Sequence, residues 1–293
     1  MSVKEVEGFY PLSPMQQGML YHTLYAPESG TYMQQVSCTL KGELNVAAFE
    51  QAWQQVIDRH PVLRSAFLWE KLKGPVQLVQ RQVKLPLEQQ DWQHFSAARQ
   101  ATELEALLTA DRGRGFELAH APLLRLFLLR LGTHAYQFIW SHHHILFDGW
   151  SVPLLLQEVF AFYEAGCRGE TLKLDQPRPF RDYIVWLKQQ DMSRAEAYWR
   201  KALAGFTTPT RLSLERAAGQ GASGYGEEQV RLSAEQSEQV QRFAREQQVT
   251  VNTVVQAAWA LLLSRYSGEE EVLFGVTVSG RPAELAGVEQ MVG

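Results

Sequence analysis

Trp140-Ser141-His142-His143-His144-Ile145-Leu146-Phe147-Asp148-Gly149-Trp150-Ser151 is the stretch on which the reading of this chain turns. Ahead of it, Ala135-Tyr136-Gln137-Phe138-Ile139-Trp140-Ser141 reads as a β-strand. Behind it, Leu155, Val159, Phe162 and Tyr163 recur at helical spacing between Val152 and Ala165, with Gly166 as the stop. Three histidines therefore stand where a strand opens into a turn. Strand alternation puts His142 and His144 on one face and His143 on the other. A neutral imidazole accepts a proton near pH 7, so a histidine fixed by a neighbour suits general-base or orienting work. Asp148 pairs with an arginine from elsewhere in this reading, and Gly149 lets the backbone bend or a ligand approach.

Outward from the motif, Leu123–Leu131 reads as a long strand, and Gly132-Thr133-His134 as the turn of an antiparallel hairpin. Ser13-Pro14-Met15-Gln16 has the capping-box pattern of a helix start. Met33–Lys41 alternates as a strand, with Cys38 expected as a small buried residue. Asn45 caps a helix whose Phe49, Trp53, Val56 and Ile57 form a core stripe. His60 reads as a helix-end cation, and Arg64, flanked by Leu63 and Phe67, as an inward arginine for which Asp148 is one candidate partner. Ala98–Leu108 is helical, and Cys167–Pro179 reads as a connector.

Beyond it come a helix over Phe180–Lys188, another capped by Ser193-Arg194-Ala195-Glu196, and a glycine-rich loop over Gly205–Gly226. Helices follow from Ser233 and Thr250, the second apolar nearly all round and so expected to be buried, and then a strand over Glu271–Val278.

The chain has 293 residues, 45% hydrophobic and 20% charged, enough for two cores. A net charge of −4 and a pI near 6.1 leave no basic stripe for nucleic acid. There is no apolar run of membrane-spanning length and no signal-peptide core at the N-terminus, so the cytoplasm is the expected compartment, with no membrane partner. Cys38 and Cys167 have no metal-ligand spacing and predict no disulfide. The glycine cluster lacks the Lys-Ser/Thr of a phosphate loop.

At the histidines, three readings compete. A metal site lacks a recognisable third ligand, a purely structural role has the histidines fill an interface, and acyl transfer uses one of them directly. A serine hydrolase is disfavoured, because there is no G-x-S-x-G and Ser141 lies within the strand.

His143-His144-Ile145-Leu146-Phe147-Asp148-Gly149 matches the HHxxxDG motif of the condensation domains of nonribosomal peptide synthetases. Companion stretches stand in the same order: Leu12-Ser13-Pro14-Met15-Gln16-Gln17-Gly18-Met19-Leu20, Arg59-His60-Pro61-Val62-Leu63-Arg64-Ser65-Ala66-Phe67, Arg181-Asp182-Tyr183-Ile184-Val185-Trp186, and Ser279-Gly280-Arg281-Pro282. The whole chain thus resembles that family, relatives of chloramphenicol acetyltransferase.

The resemblance implies an α/β, chloramphenicol acetyltransferase-like fold: a two-lobed, V-shaped pseudo-dimer with an N-terminal lobe over 1–175 and a C-terminal lobe over 176–293, the latter incomplete. It implies amide-bond formation between a donor peptidyl or aminoacyl thioester and an acceptor aminoacyl thioester. These ride on phosphopantetheine arms of upstream and downstream peptidyl carrier proteins beside an adenylation domain, and the chain itself binds no cofactor. His144 is the implied catalytic residue, as base or orienter. His143, Asp148 and Gly149 are motif residues, and Asp148 is expected to pair with Arg281, or else with Arg64. The first companion stretch looks like the subtype for a D-donor and an L-acceptor. Alternatives are a non-catalytic carrier-binding relative, an acyl-CoA-dependent acyltransferase and an epimerising relative, and the chain as given is expected to be truncated, with activity in doubt.

Overall fold

The computed structural model describes residues 5–211 and 229–293. It divides into two compact units, one running to Gln190 and taking in Ser279–Gly293, the other Asp191–Val278.

In the first unit, a four-stranded sheet is ordered β2-β7-β6-β5, where β2 is Met33–Lys41, β5 Leu87–Asp91, β6 Leu124–Gly132 and β7 Ala135–His143. The β6–β7 hairpin pairs Leu126 with Trp140 and Leu128 with Phe138, antiparallel as the short turn requires, and β5 joins β6 in parallel. Strand β6 is apolar on successive positions from Leu126 to Leu129 because both its faces are covered there. Leu124, Leu126 and Leu128 turn, with Phe138 and Trp140, towards helices α2 (Val46–Arg59) and α4 (Ser151–Cys167). Phe127, Leu129 and Ile139 turn the other way, against Leu104, Leu107 and Leu108 of α3 (Ala97–Arg114). The stripe Phe49, Trp53, Val56 and Ile57 is core, each residue at most 2% exposed.

A second sheet, β1-β4-β3, is built from Val6–Pro11, Val76–Gln80 and Ser65–Leu68. Helix α1 (Pro14–Tyr25) carries the expected capping box at Ser13 and Gln16, and Asn45 caps α2 through the Ala48 amide. Helix α5 (Phe180–Lys188) packs Ile184 against Tyr10 and Val79, while Phe180, Tyr183 and Trp186 take Leu285, Val288 and Met291 of the closing stretch.

The second unit contains α6 (Met192–Ala202), α7 (Ala234–Glu246) and α8 (Val251–Ser267). Here the sequence expectations fare less well. Helix α6 is capped by Asp191, two residues earlier than expected, and Ser193 donates to the Asp191 carboxylate. Residues 271–278 form no strand, because no neighbouring strand pairs with them among the described residues. Of α8 only Leu263 is buried, and Val255, Trp259, Leu261, Leu262 and Tyr266 are exposed. An apolar helix states what its surface favours, and α7, its neighbour in the unit, covers too little of it. Part of the expected loop, residues 212–228, lies outside the described residues. In the first unit Cys38 is exposed, since β2 is an edge strand and only its inner positions are packed.

Helix α3 is fastened to the sheet by one buried ion pair. Arg125 of β6 donates from Nε to the Asp111 carboxylate, from Nη2 to the Asp111 carbonyl at 2.7 Å and from Nη1 to Gly115 O at 2.8 Å. The same carboxylate accepts from Ser141 Oγ and Gln35 Nε2, so its lone pairs are used. The side chains of Asp111 and Arg125 are 2% and 9% exposed, whereas the pair Arg99–Glu103 on the same helix is 60% and 43% exposed. Removing one partner of a buried pair strands the other charge, so Asp111→Ala is expected to cost about 3–5 kcal/mol in a denaturant titration. Glu103→Ala is expected to cost less than about 1 kcal/mol. Equal losses would show that the buried pair does not fasten α3.

Candidate active site

Strand β7 ends at His143, which places His144 in the turn. The alternation that would pair His144 with His142 therefore stops one residue short. The turn is held at both ends. His144 N–H donates to Tyr32 O at 2.8 Å, adding one bond to the β2–β7 ladder, and Leu146 N–H donates back to His143 O at 3.1 Å. Ile145, Leu146 and Phe147 are each at most 2% exposed, so the apolar half of the motif anchors it in the core.

The three imidazoles have different surroundings. His142 stacks on Phe147 at 4.4 Å and lies 4.9 Å from Trp140; its Nδ1 is buried without a partner among the described residues. Burial, with the neighbouring His144 and His143, pushes its pKa down to about 3. His143 accepts the Ile145 amide at Nδ1, 3.1 Å, so its proton sits on Nε2, 3.2 Å from Thr23 Oγ1. Thr23 donates its own hydrogen to Met19 O, which leaves its oxygen free to accept. Burial, then His144, lowers the His143 pKa to about 4. His142 and His143 are thus neutral packing groups, 3% and 4% exposed.

His144 differs from both. It is half-buried, and its Nδ1 lies 2.9 Å from Phe147 O. A carbonyl oxygen can only accept, so Nδ1 carries the hydrogen and the lone pair is on Nε2. Among the described residues no group bonds to that nitrogen. The bond to Phe147 O fixes the ring and leaves Nε2 available.

Asp148 closes the turn. Its Oδ1 accepts from Arg281 Nη2 at 2.8 Å, Ser151 Oγ at 2.8 Å and Ser151 N at 3.0 Å, the last at the start of α4 where a carboxylate also favours the helix dipole. Arg281 sends Nη1 to Val288 O at 2.6 Å and Met291 O at 2.7 Å, and its side chain is 9% exposed. One guanidinium therefore ties the motif to the closing stretch 279–293. Arg64, the other candidate partner, lies elsewhere: its Nη1 donates to Glu7 Oε2 at 2.7 Å and its Nε to Ile57 O at 3.2 Å. An inward arginine at a strand start finds the nearest carboxylate and carbonyls, here those of β1 and α2, not the motif aspartate. His60 lies 2.7 Å from Glu158, which Arg59 also meets, away from the motif. Gly149 needs no left-handed φ, and a Cβ there would meet nothing within 4 Å. Neither the backbone nor the packing of this chain requires a glycine at that position.

Two residues of this site were not assigned to it from the sequence. Ser151 is fully buried and shares Arg281 with Asp148. Gln16 reaches the motif itself: Nε2 donates to Ile145 O and to Gln77 Oε1, both at 3.0 Å. Its signal was available, for Gln16 lies one turn before Leu20 on the buried face of α1, where a polar side chain must find partners.

A family model described as the condensation domain matches residues 6–293. The chain belongs to the condensation-domain family. A linear gramicidin synthase of Brevibacillus parabrevis is 47% identical over 293 residues, which is 99% of this chain and 4% of that protein. Bacitracin synthase 1 of Bacillus licheniformis is 37% identical over 293 residues, 100% of this chain and 6% of that protein. The chain therefore spans only a small part of these relatives.

Among solved structures, a starter condensation domain of rhizomide synthetase superposes with a TM-score of 0.77 at 24% identity, covering 97% of this chain and 64% of that one. A four-domain nonribosomal peptide synthetase bound to AMP and glycine gives 0.78 at 23% identity, covering 99% and 22%. This condensation domain thus has the mixed α/β fold of its solved relatives. Among its described residues no three His, Cys, Asp or Glu side chains group as metal ligands, and no helix is long and apolar enough to cross a membrane.

The buried neutral histidines give the condensation domain a pH signature. An unfolded histidine titrates near 6.5, but His142 and His143 do so at about 3 and about 4 when folded. Between those values the unfolded chain binds more protons, so stability is complete above about pH 6.5 and is lost as the pH falls towards 4. Each histidine is expected to remove on the order of 1–2 kcal/mol between pH 7 and pH 5. His142→Phe keeps the aromatic stack and should flatten the dependence of the urea midpoint on pH. An unchanged slope would contradict the assignment.

Proposed function

We propose that this condensation domain joins a donor peptidyl or aminoacyl thioester to the α-amine of an acceptor aminoacyl thioester, each carried on the phosphopantetheine arm of a peptidyl carrier protein beside an adenylation domain. The observation that carries this reading is the His144 imidazole, with Nδ1–H spent on Phe147 O and Nε2 unspent. The acceptor nitrogen attacks the thioester carbonyl, a C–N bond forms, the C–S bond breaks, and the thiolate leaves. Nε2 of His144 orients the amine and takes its proton, which then passes to the departing sulfur. A free α-amine has a pKa of about 8, so part of it is neutral at pH 7, and orientation contributes alongside proton transfer.

In this proposal His143, Asp148 and Arg281 do not touch substrate. His143 holds the Ile145 amide, and the Asp148–Arg281 pair holds the end of the turn. Gly149 is glycine for what approaches it, since nothing within the chain demands one there. The stretch Leu12–His22 favours a D-donor and an L-acceptor, because it lacks the Ala-Gln-x-Arg usual in the version for all-L donors.

Condensation should be measured between two loaded carriers in the full protein that contains these residues, with matched D- and L-donor thioesters. His144→Ala is expected to lower kcat by about 10²–10⁴-fold without loss of fold. Unimpaired turnover by that variant would remove the catalytic role, and turnover of acyl-CoA without response to carrier-bound thioesters would replace the substrate class. A faster L-donor would overturn the subtype. Gly149→Ala should leave stability within about 0.5 kcal/mol while slowing condensation. Full activity in that variant would show that no substrate passes close to residue 149.

A further inference from the structure

A buried hydrogen-bond chain meets the histidine turn at Ile145 O, three residues before the Asp148 carboxylate that Arg281 holds. Gln16 is 5% exposed and Gln77 is fully buried. Gln16 Oε1 accepts the Ser13 amide at 3.0 Å, which fixes the orientation of its side-chain amide and turns Nε2 towards Ile145 O and Gln77 Oε1. Gln77 Nε2 donates to Ser65 Oγ at 2.8 Å, and Ser65 donates to Pro61 O at 3.0 Å. Gln16 Nε2 thus donates in two directions, to the turn at Ile145 O and, through Gln77 and Ser65, towards Pro61 O. A carbonyl or amide along this chain that lost its partner would be stranded in the core.

At the turn this chain ends on the carbonyl of Ile145, the residue after His144. Ile145 N–H is held by the His143 ring and Ile145 O by Gln16. With the His144 amide on Tyr32 O, the backbone on both sides of the active imidazole is fixed.

We propose that Gln16 is a positioning residue for His144: it acts through the Ile145 carbonyl to aim Nε2 and takes no part in binding substrate. This rests on the role given to His144 above. Its effect should therefore appear in kcat and not in KM, since a reacting group displaced by about 1 Å costs about a hundredfold. A helix-capping role alone would behave differently, because Ser13 and Gln16 share the capping box but only Gln16 touches the motif.

The test compares Gln16→Met with Ser13→Ala in the full protein, by condensation kinetics with carrier-bound thioesters and by amide hydrogen exchange of residues 141–148. Gln16→Met is expected to lower kcat by about ten- to a hundredfold with KM for both carriers within about twofold, and to speed exchange at residues 144–146. Ser13→Ala is expected to lose stability while keeping kcat within about threefold and exchange in the turn unchanged. Equal losses in the two variants, or a loss in KM alone, would overturn the positioning role.

If Gln16→Met does not fold, Gln16→Leu replaces it, a side chain of similar volume that likewise carries no donor for Ile145 O. Wild-type kcat in that variant would overturn the proposal. If the wild-type protein shows no condensation, the reading of the reaction fails, and the exchange comparison still decides whether Gln16 holds the turn.

Discussion

A chain leaving a β-strand inside a packed core has to find partners for every backbone amide and carbonyl on the way out. In residues 143–151 four of these groups are met by side chains, three from the turn itself and one from α1. Gln16 takes the Ile145 carbonyl, the His143 ring takes the Ile145 amide, His144 itself takes the Phe147 carbonyl, and Asp148 takes the Ser151 amide. The constraint has a chemical by-product. Because the Phe147 carbonyl must be given a hydrogen, His144 is held in the tautomer whose other nitrogen is a base.

The same constraint sorts the neighbouring histidines. His142 and His143 are two strand residues with buried rings, and burial forbids their charge. They cannot serve as proton carriers near neutral pH, yet they shape the turn, one by stacking on Phe147 and the other by holding a backbone amide. His144, one residue beyond the strand, escapes full burial. The position at which β7 stops is thus what separates a buried packing histidine from a partly exposed one with a free ring nitrogen. Asp148 and Arg281 then fix where the turn meets α4, with a guanidinium whose two amino groups are divided between the carboxylate side and the carbonyls of the closing stretch.

Much of this was legible in the sequence where local rules decide. The β6–β7 hairpin, the capping box at Ser13, the Asn45 cap and the stripe on α2 follow from periodicity and turn chemistry, and they were read with nearly the observed bounds. Relations across the chain were less accessible. Arg64 and Arg281 look alike by composition, and only the resemblance to condensation domains favoured Arg281; the nearby Glu7 explains why Arg64 is engaged elsewhere. Cys38 alternates like a core residue but lies on an edge strand, and α8 is apolar on sides that no described neighbour covers. Both misreadings have one cause: a side-chain pattern records a preference for burial, while burial itself depends on which other elements are present. Gln16 was recognised as a cap and not as a support for the motif, because the nitrogen of its side-chain amide finds a partner 129 residues away.

The most direct measurement is a nitrogen-15 spectrum of the histidine side chains at neutral pH. The account predicts that His144 gives the signature of a neutral ring protonated at Nδ1, while His143 gives that of a neutral ring protonated at Nε2. A His144 ring protonated at Nε2, with its lone pair facing the Phe147 carbonyl, would contradict the account at its centre.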